Sequence, residues 1–349
     1  MNNFIDLRSD VKTQPTDEMR EAMRIAEVGD NVAGDDPTIN KLESLGAETF
    51  EKEACLYCPS GTMSNLLAIV CTASPGEEVI IEEHSHICVS EVGGMAHVGG
   101  IMAHPVHGPD GIISPETLLY AIRPKGLAFS KTKVFCLENT HNFYGGRFLT
   151  PDDMEPVFNV AKEHGLHVHV DGERIFNAAV AQNIQVKEIV KFTDSITVGL
   201  SKGLCSPTGS LLVGPKSLIT KAKKSMKMLG GVMRKPGVLA AAGIISITQM
   251  WKRLVIDHEN ARTIADGLEG LPGINVVPSR VVTNIVNVDI SQLKISPSEL
   301  VSMAKEKGVL LGYHLFKPTI VRLVTYKDIS TDDVIKATQI IKEIVLSLN

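Results

Sequence analysis

His167-Val-His-Val-Asp-Gly-Glu-Arg-Ile-Phe-Asn177 changes character at its centre. Residues 166–170 alternate β-branched and polar side chains as a strand does, and Asp171-Gly172 stops that strand before a helix begins. Thirty-one residues beyond Asp171 stands Ser201-Lys-Gly-Leu204, directly behind a second strand-like run at 195–198. An acid at one strand end and a lysine at a nearby one predict an open α/β sheet, whose ligands lie outside the carboxyl ends of the strands.

Working outward, residues 40–215 alternate short apolar, β-branched runs with longer amphipathic stretches, the pattern of βα units and a mostly parallel sheet. Strands are predicted at 79–81, 134–137, 166–170, 195–198 and 210–213, and helical spacing at 65–71, 116–122 and 154–164. A Lys-rich helix at 218–229 ends in Gly230-Gly231, and a long helical stretch follows at 238–268. Leu271-Pro-Gly273 breaks it; 276–277, 285–288 and 320–324 then read as strands around a helix at 297–307, a smaller α+β unit. The expected division is 1–240 for an N-terminal segment and the large α/β domain, and 241–349 for the small C-terminal domain.

A chain of 349 residues has room for both cores. Its hydrophobic fraction of 44% and charged fraction of 21% exclude wholesale disorder and fibrous repeats. With 35 Lys+Arg against 40 Asp+Glu the formal charge is -5, which gives no electrostatic reason to expect nucleic acid as a partner. The first residues lack the basic and apolar regions of a secretory signal. The longest apolar run, 237–251, is interrupted by Ser246, Thr248 and Gln249 and falls short of the ~20 residues of a membrane span. The expectation is a cytoplasmic protein with no membrane partner. Six cysteines are sparse for a disulfide framework, and Cys55-Leu-Tyr-Cys58 has no second pair at zinc-ribbon spacing, so packed thiols and no metal site are expected. Lys221, Lys223, Lys224 and Lys227 read as a solvated helix face.

One cofactor suits an acid and a lysine at neighbouring strand ends. Pyridoxal 5'-phosphate needs a lysine for its Schiff base, an Asp on its ring nitrogen and a cradle for its phosphate. The candidate cradle is Pro59-Ser-Gly-Thr-Met-Ser-Asn65, a turn running into a helix whose first N–H groups lack intrahelical partners. Singly, each piece has a plain structural reading: Asp-Gly is an ordinary turn, Ser-Gly-Thr an ordinary helix start, and a Lys before Gly203 a surface turn. The order cradle, acid, lysine within one α/β unit argues against all three being incidental.

The other quoted motifs extend the pattern along nearly the whole chain: Asp6-Leu-Arg-Ser-Asp10 with Pro15-Thr16, Val28-Gly-Asp30, Asp35-Asp-Pro-Thr38, Glu138-Asn-Thr-His-Asn142, residues 174–179, Gly230-Gly231 and Arg234. Together with Ser60-Gly-Thr62, His169-Val-Asp-Gly172 and Ser201-Lys-Gly-Leu204, they resemble the low-specificity L-threonine aldolases, which have the aspartate aminotransferase-like fold type I. The resemblance implies that Lys202 bonds the cofactor, Asp171 pairs with its ring nitrogen, and Ser60, Gly61 and Thr62 hold its phosphate. It further implies that His86 stacks on the ring and is a candidate for proton transfer. Ser9, Arg174 and Arg322 would grip the substrate carboxylate, a task suited to the planar guanidinium fork. Arg234 would reach a phosphate or a neighbouring subunit, His141 is left between a catalytic and a supporting role, and His84 reads as an ordinary hydrogen-bonded residue. The implied assembly is a homotetramer built from dimers, acting on a small amino-acid substrate.

The chain departs from the family's usual Asp-Gly-Ala-Arg by carrying Asp171-Gly-Glu173-Arg174, an extra carboxylate beside an expected substrate arginine. It also has Asp10-Val-Lys-Thr13 and Met233-Arg-Lys235 where many members read Asp-Thr-Val-Thr and Met-Arg-Gln, and no histidine in Gly126-Leu-Ala-Phe-Ser130. The expected reaction is retro-aldol cleavage of L-threonine or L-allo-threonine to glycine and an aldehyde. A β-eliminating lyase, racemase or aminotransferase would use the same lysine and aspartate, and a non-catalytic ligand-binding derivative is the rival of a different class.

Overall fold

The computed structural model describes residues 4–348, which fall into two compact units. The larger comprises 15–142 and 148–251, and the smaller 4–14, 143–147 and 252–348.

The larger unit is built on seven strands: β1 (Ala54–Cys58), β2 (Glu78–Glu82), β3 (Met102–Val106), β4 (Thr132–Glu138), β5 (His167–Gly172), β6 (Ser195–Gly199) and β7 (Ser210–Gly214). Their spatial order is β1-β7-β6-β5-β4-β2-β3. The pairs β2–β3, β2–β4, β4–β5 and β5–β6 are parallel, and β7 runs antiparallel to both its neighbours. Every residue of β2, β6 and β7 is buried, so these strands read as continuous apolar runs rather than alternating ones. The helices α1 (Gly61–Val70) and α2 (Ile175–Gln182) follow β1 and β5 and bury half or more of their residues.

Two strands of this sheet lack the sequence signal of the others. In β3, Met-Ala-His-Pro-Val lies at the sheet edge, half exposed, where Pro105 costs no ladder hydrogen bond on a paired side. In β1, Cys55 and Cys58 are three positions apart and therefore project from opposite faces, which is incompatible with shared ligation of one ion. Burial raises both thiols, Cys58 to about 12. They are packed thiols.

The expected domain boundary moves. The predicted long helix 238–268 is two helices, Gly237–Thr248 and Leu254–Leu268, separated by a 3-10 turn at Met250–Arg253. The first of them packs on helix Pro37–Thr49 of the larger unit, where Gly243 leaves room for Leu42. Asp36 joins the two by capping Pro37–Thr49 through Thr38 N and Ile39 N while accepting from Gly237 N at 2.9 Å. The boundary therefore falls after 251 rather than after 240. The N-terminal segment also changes side, because Ile5 and Asp6 pair in parallel with Val309 and Leu310 of the smaller unit.

The smaller unit contains β8 (Ile285–Asp289) and β9 (Ile320–Val324), antiparallel to each other, with Gly312–Tyr313 on the outer side of β9. Helices Leu254–Leu268, Pro297–Glu306 and Thr331–Ser347 bury their apolar faces in one core with Val286, Val288, Val321 and Leu323. The predicted strand 276–277 is absent; only Asn275 makes an isolated bridge, to Asp289. Among the described residues no single helix is long and apolar enough to cross a membrane.

Candidate active site

The carboxyl ends of β4, β5 and β6 bring several charged residues together. Glu138 ends β4 opposite Asp171 of β5, and Asp171 lies opposite Thr197 of β6. The chain leaving β6 carries Lys202, whose side chain is only 16% exposed and whose Nζ lies 3.0 Å from Glu173 Oε2. Ser60 caps α1, its Oγ accepting from Met63 N at 3.2 Å, so Ser60, Gly61 and Thr62 form a helix N-terminus. Ser60 and Thr62 are exposed there. Such an end attracts anions through its unpaired N–H groups and the helix dipole.

Asp171 is buried, and its hydrogen bonds come from neutral donors: Asn65 Nδ2 at 3.1 Å and Glu173 N at 3.2 Å. Burial first, then the nearby carboxylates of Glu138, Glu91 and Glu173, push its carboxyl up to about 7 against the partial relief His86 gives. The Asn65 amide settles the direction of a longer chain. Both its N–H groups are directed to carboxylates, Asp171 and Glu91, so its Oδ1 must accept from His169 Nε2–H at 3.1 Å. Burial, then neighbouring His167, lowers the His169 pKa to about 3, leaving a neutral ring whose Nδ1 accepts from Ser195 Oγ at 2.9 Å. Ser195 in turn accepts from His167 Nε2 at 2.8 Å. Every donor in this chain points toward Asp171, an alignment in which each bond polarises the next.

His86 begins a short helix, His86–Val89, and is half buried. Its backbone N–H donates to Glu138 Oε2 at 2.7 Å, and its Nδ1 lies 3.0 Å from Glu91 Oε1. Burial alone lowers its pKa, but the Glu91 hydrogen bond and the charges of Asp171, Glu91 and Glu138 together hold it above the ordinary value. A ring nitrogen of His86 and carboxylate oxygens of Glu91 and Asp171 all lie within 4.8 Å of one another. Two of these three groups are acids, so the cluster attracts positive charge.

Of the residues expected from the sequence, Lys202, Asp171, His86, Arg174 and the Ser60–Thr62 turn all belong to this unit. Arg174 is buried, with Nη1 donating to Asn142 Oδ1 at 3.1 Å. Arg234 is not drawn into the cluster: its side chain is 66% exposed and pairs with Asp30 at 3.0 Å. Ser9 and Arg322 belong to the smaller unit, where Ser9 caps the turn Asp10–Lys12 and Arg322 sits in β9 opposite Asn287. His141 is buried with Nε2 3.0 Å from Glu82 Oε2. His84 is half buried near Glu82 and Glu83.

Sequence reading missed Asn65, Glu91, Glu138 and His169 as site residues. His169 carried a legible signal, because His167, His169 and Asp171 alternate along one strand and so share one face. Glu91 lies just beyond a four-residue helix and carries no periodicity that points at His86.

The family model described as Beta-eliminating lyase matches residues 6–291. Low-specificity L-threonine aldolase 1 of Arabidopsis thaliana is 42% identical over 335 residues, covering 95% of this chain and 93% of that protein. The low specificity L-threonine aldolase of Escherichia coli (strain K12) is 41% identical over 330 residues, 94% and 96% of the two chains. A solved threonine aldolase structure from Leishmania major superposes with a TM-score of 0.83 at 20% identity, covering 97% of this chain and 99% of that one, a likeness of fold. The sheet has the fold type I architecture, and with identity above 40% along nearly its whole length the chain belongs to the low-specificity L-threonine aldolases, a family of lyases within the beta-eliminating lyase group.

Proposed function

We propose that the protein binds pyridoxal 5'-phosphate and cleaves β-hydroxy-α-amino acids, L-threonine and L-allo-threonine, to glycine and an aldehyde. The observation that carries the reading is Asp171, a buried carboxylate hydrogen-bonded only by neutral donors and raised to about 7, which calls for a cationic partner from a ligand. The donor set fits the cofactor: Lys202 offers an amine for its aldehyde, Asp171 an anion for its ring nitrogen, and Ser60, Gly61 and Thr62 a helix N-terminus for its phosphate. When bound, pyridoxal phosphate supplies an aldehyde for condensation with amines and a ring that accepts the electron pair of a bond broken at Cα.

The chain's own residues supply the rest. Asp171, backed by Asn65 and the His169 chain, keeps a negative charge where the ring nitrogen needs it. Glu91 accepts the Nδ1 proton of His86, leaving Nε2 as the nitrogen that takes the proton of the substrate β-hydroxyl. Arg174 binds the substrate carboxylate, and Ser9 and Arg322 join it in this proposal on the family resemblance. The homotetramer belongs to the same reading and is supported by Ile25, Val28 and Val32, three exposed apolar residues close together in sequence, and by the exposed Arg234. A cytoplasmic location is supported by the free thiols of Cys55, Cys58, Cys71, Cys88 and Cys136.

Product analysis tests the reaction. L-threonine and L-allo-threonine are expected to give glycine and acetaldehyde in equal amounts, and Lys202→Ala to abolish both turnover and the cofactor fixed to protein by borohydride. The matching family model also covers β-eliminating lyases. Ammonia and 2-oxobutyrate without glycine would establish that chemistry instead.

A further inference from the structure

Glu173 stands where the family usually has alanine, and the fold makes room for it. A Cβ on Gly61 would overlap Glu173 Oε1, and a Cβ on Gly199 would overlap Oε2. Two glycines, one at the start of α1 and one at the end of β6, thus frame a single carboxylate. Its Oε2 lies 3.0 Å from Lys202 Nζ, both side chains being about five-sixths buried (15% and 16% exposed). Its Oε1 is buried without a hydrogen-bond partner, an expensive arrangement for a charged group that serves packing alone.

We propose that Glu173 is the positioning residue of Lys202, the counter-ion that holds its amine whenever that amine is not bonded to the cofactor. The inference rests on the pyridoxal-phosphate reading above. Condensation of the amine with the cofactor aldehyde forms one C=N bond and releases one water. Exchange with substrate then moves that carbon to the substrate nitrogen, and the N–H protons that this nitrogen gives up pass to the Lys202 nitrogen, which leaves as an ammonium. A free ammonium offers three N–H donors and a full charge, whereas a nitrogen doubly bonded to carbon keeps at most one N–H. Glu173 therefore favours the released lysine over the bonded one. An ammonium released into a half-dry pocket with no anion beside it would be costly, and Glu173 removes that cost. The residue eases the handover of the cofactor to substrate at the expense of holding it.

Cofactor-free wild type, Glu173→Gln and Glu173→Ala are titrated with pyridoxal phosphate, and each loaded protein is then titrated with glycine, both followed by visible absorbance. The two Glu173 variants should hold the cofactor roughly three- to tenfold more tightly than wild type and exchange it to glycine less readily by a similar factor. In a Lys202→Ala background Glu173→Gln should leave cofactor affinity unchanged, since the partner is gone. Cofactor affinity that is unchanged or weaker in both variants, at wild-type melting temperature, would overturn the proposal. So would the same gain in the Lys202→Ala background, which would mean that Glu173 acts on the phosphate charge. A wild type that binds no borohydride-fixable cofactor would instead bring down the functional reading, and this inference with it.

Discussion

Asp171 is held at a cost to the cofactor-free protein, and the cost has a definite pH dependence. Its carboxyl titrates near 7 in the folded chain against 3.8 when unperturbed. Between those values the folded state holds a proton that the unfolded state has lost, so this group makes stability fall as pH rises from about 4 to about 7, and the penalty stays constant above. Asp171→Asn should therefore stabilise the cofactor-free protein by about 2–4 kcal/mol at pH 8, with the gain vanishing toward pH 4. Thermal melts of the two proteins across that range check it, and a pH-independent difference would show that burial does not set the shift. The same substitution should cripple turnover, the usual conflict between stability and a site built for charge. His86 is the second residue whose role can be read by titration. Glu91 holds its pKa up, so Glu91→Gln should move the acidic limb of the kcat/KM profile to lower pH, because the basic form of His86 then persists further into acid. His86→Ala should cost roughly 10²–10⁴-fold in kcat. An acidic limb unmoved in Glu91→Gln would assign that limb to another group.

Strand β5 and helix α1 act as units in presenting these residues. The strand puts His167, His169 and Asp171 on one face, and the helix brings Asn65 one turn beyond its start to join them. Both histidines are depressed, to about 4 and about 3, so the unfolded chain binds protons first as pH drops below 6.5. Their contribution to stability is present above that pH and is lost as pH falls toward 3, opposite in sign to that of Asp171. His169→Phe should flatten this acid loss and, by removing the donor to Asn65 Oδ1, lower kcat; melts at pH 4 and pH 8 with matched kinetics test both. Much of this was legible from the alternation of 167–171 and the turn-to-helix run 59–65, because strand ends and helix starts are local features. What escaped reading was decided by distant packing. The edge strand β3 contains Pro105 and exposed residues, the break after Thr248 falls inside a stretch whose spacing reads as one helix, and Ile5–Asp6 finds its partner only near the other end of the chain. Glu91 is a site residue through a loop whose path no periodicity encodes. Glu173 was visible as a departure, yet its pairing with Lys202 depends on two glycines far apart in sequence.

At the scale of the whole molecule Arg234 is the residue that reports on assembly. Its ion pair with Asp30 is largely exposed, and such pairs contribute little, so Arg234→Ala should leave the melting temperature of the cofactor-free protein nearly unchanged. If the protein is a homo-oligomer in which this arginine reaches the phosphate held by a neighbouring subunit, the same substitution should weaken cofactor binding by about tenfold or more, as removal of a charged phosphate contact does. A mixing experiment separates that from an effect within one chain. Lys202→Ala subunits keep Arg234 but have no amine, and Arg234→Ala subunits keep Lys202 but lack the arginine. When the two are unfolded together and refolded, or exchanged at low concentration, a hybrid pair contains one site with Lys202 from one chain and Arg234 from the other. Two poorly active parents should then yield a mixture whose activity at limiting cofactor exceeds the sum of theirs, approaching one quarter of wild type for random pairing, roughly the share of sites so completed. A mixture no more active than its parents, with hybrid formation confirmed by mass, would place the role of Arg234 within its own chain. The gain should also disappear when the mixture is diluted below the dissociation constant of the assembly, since a site completed by a neighbour exists only while the neighbour is bound.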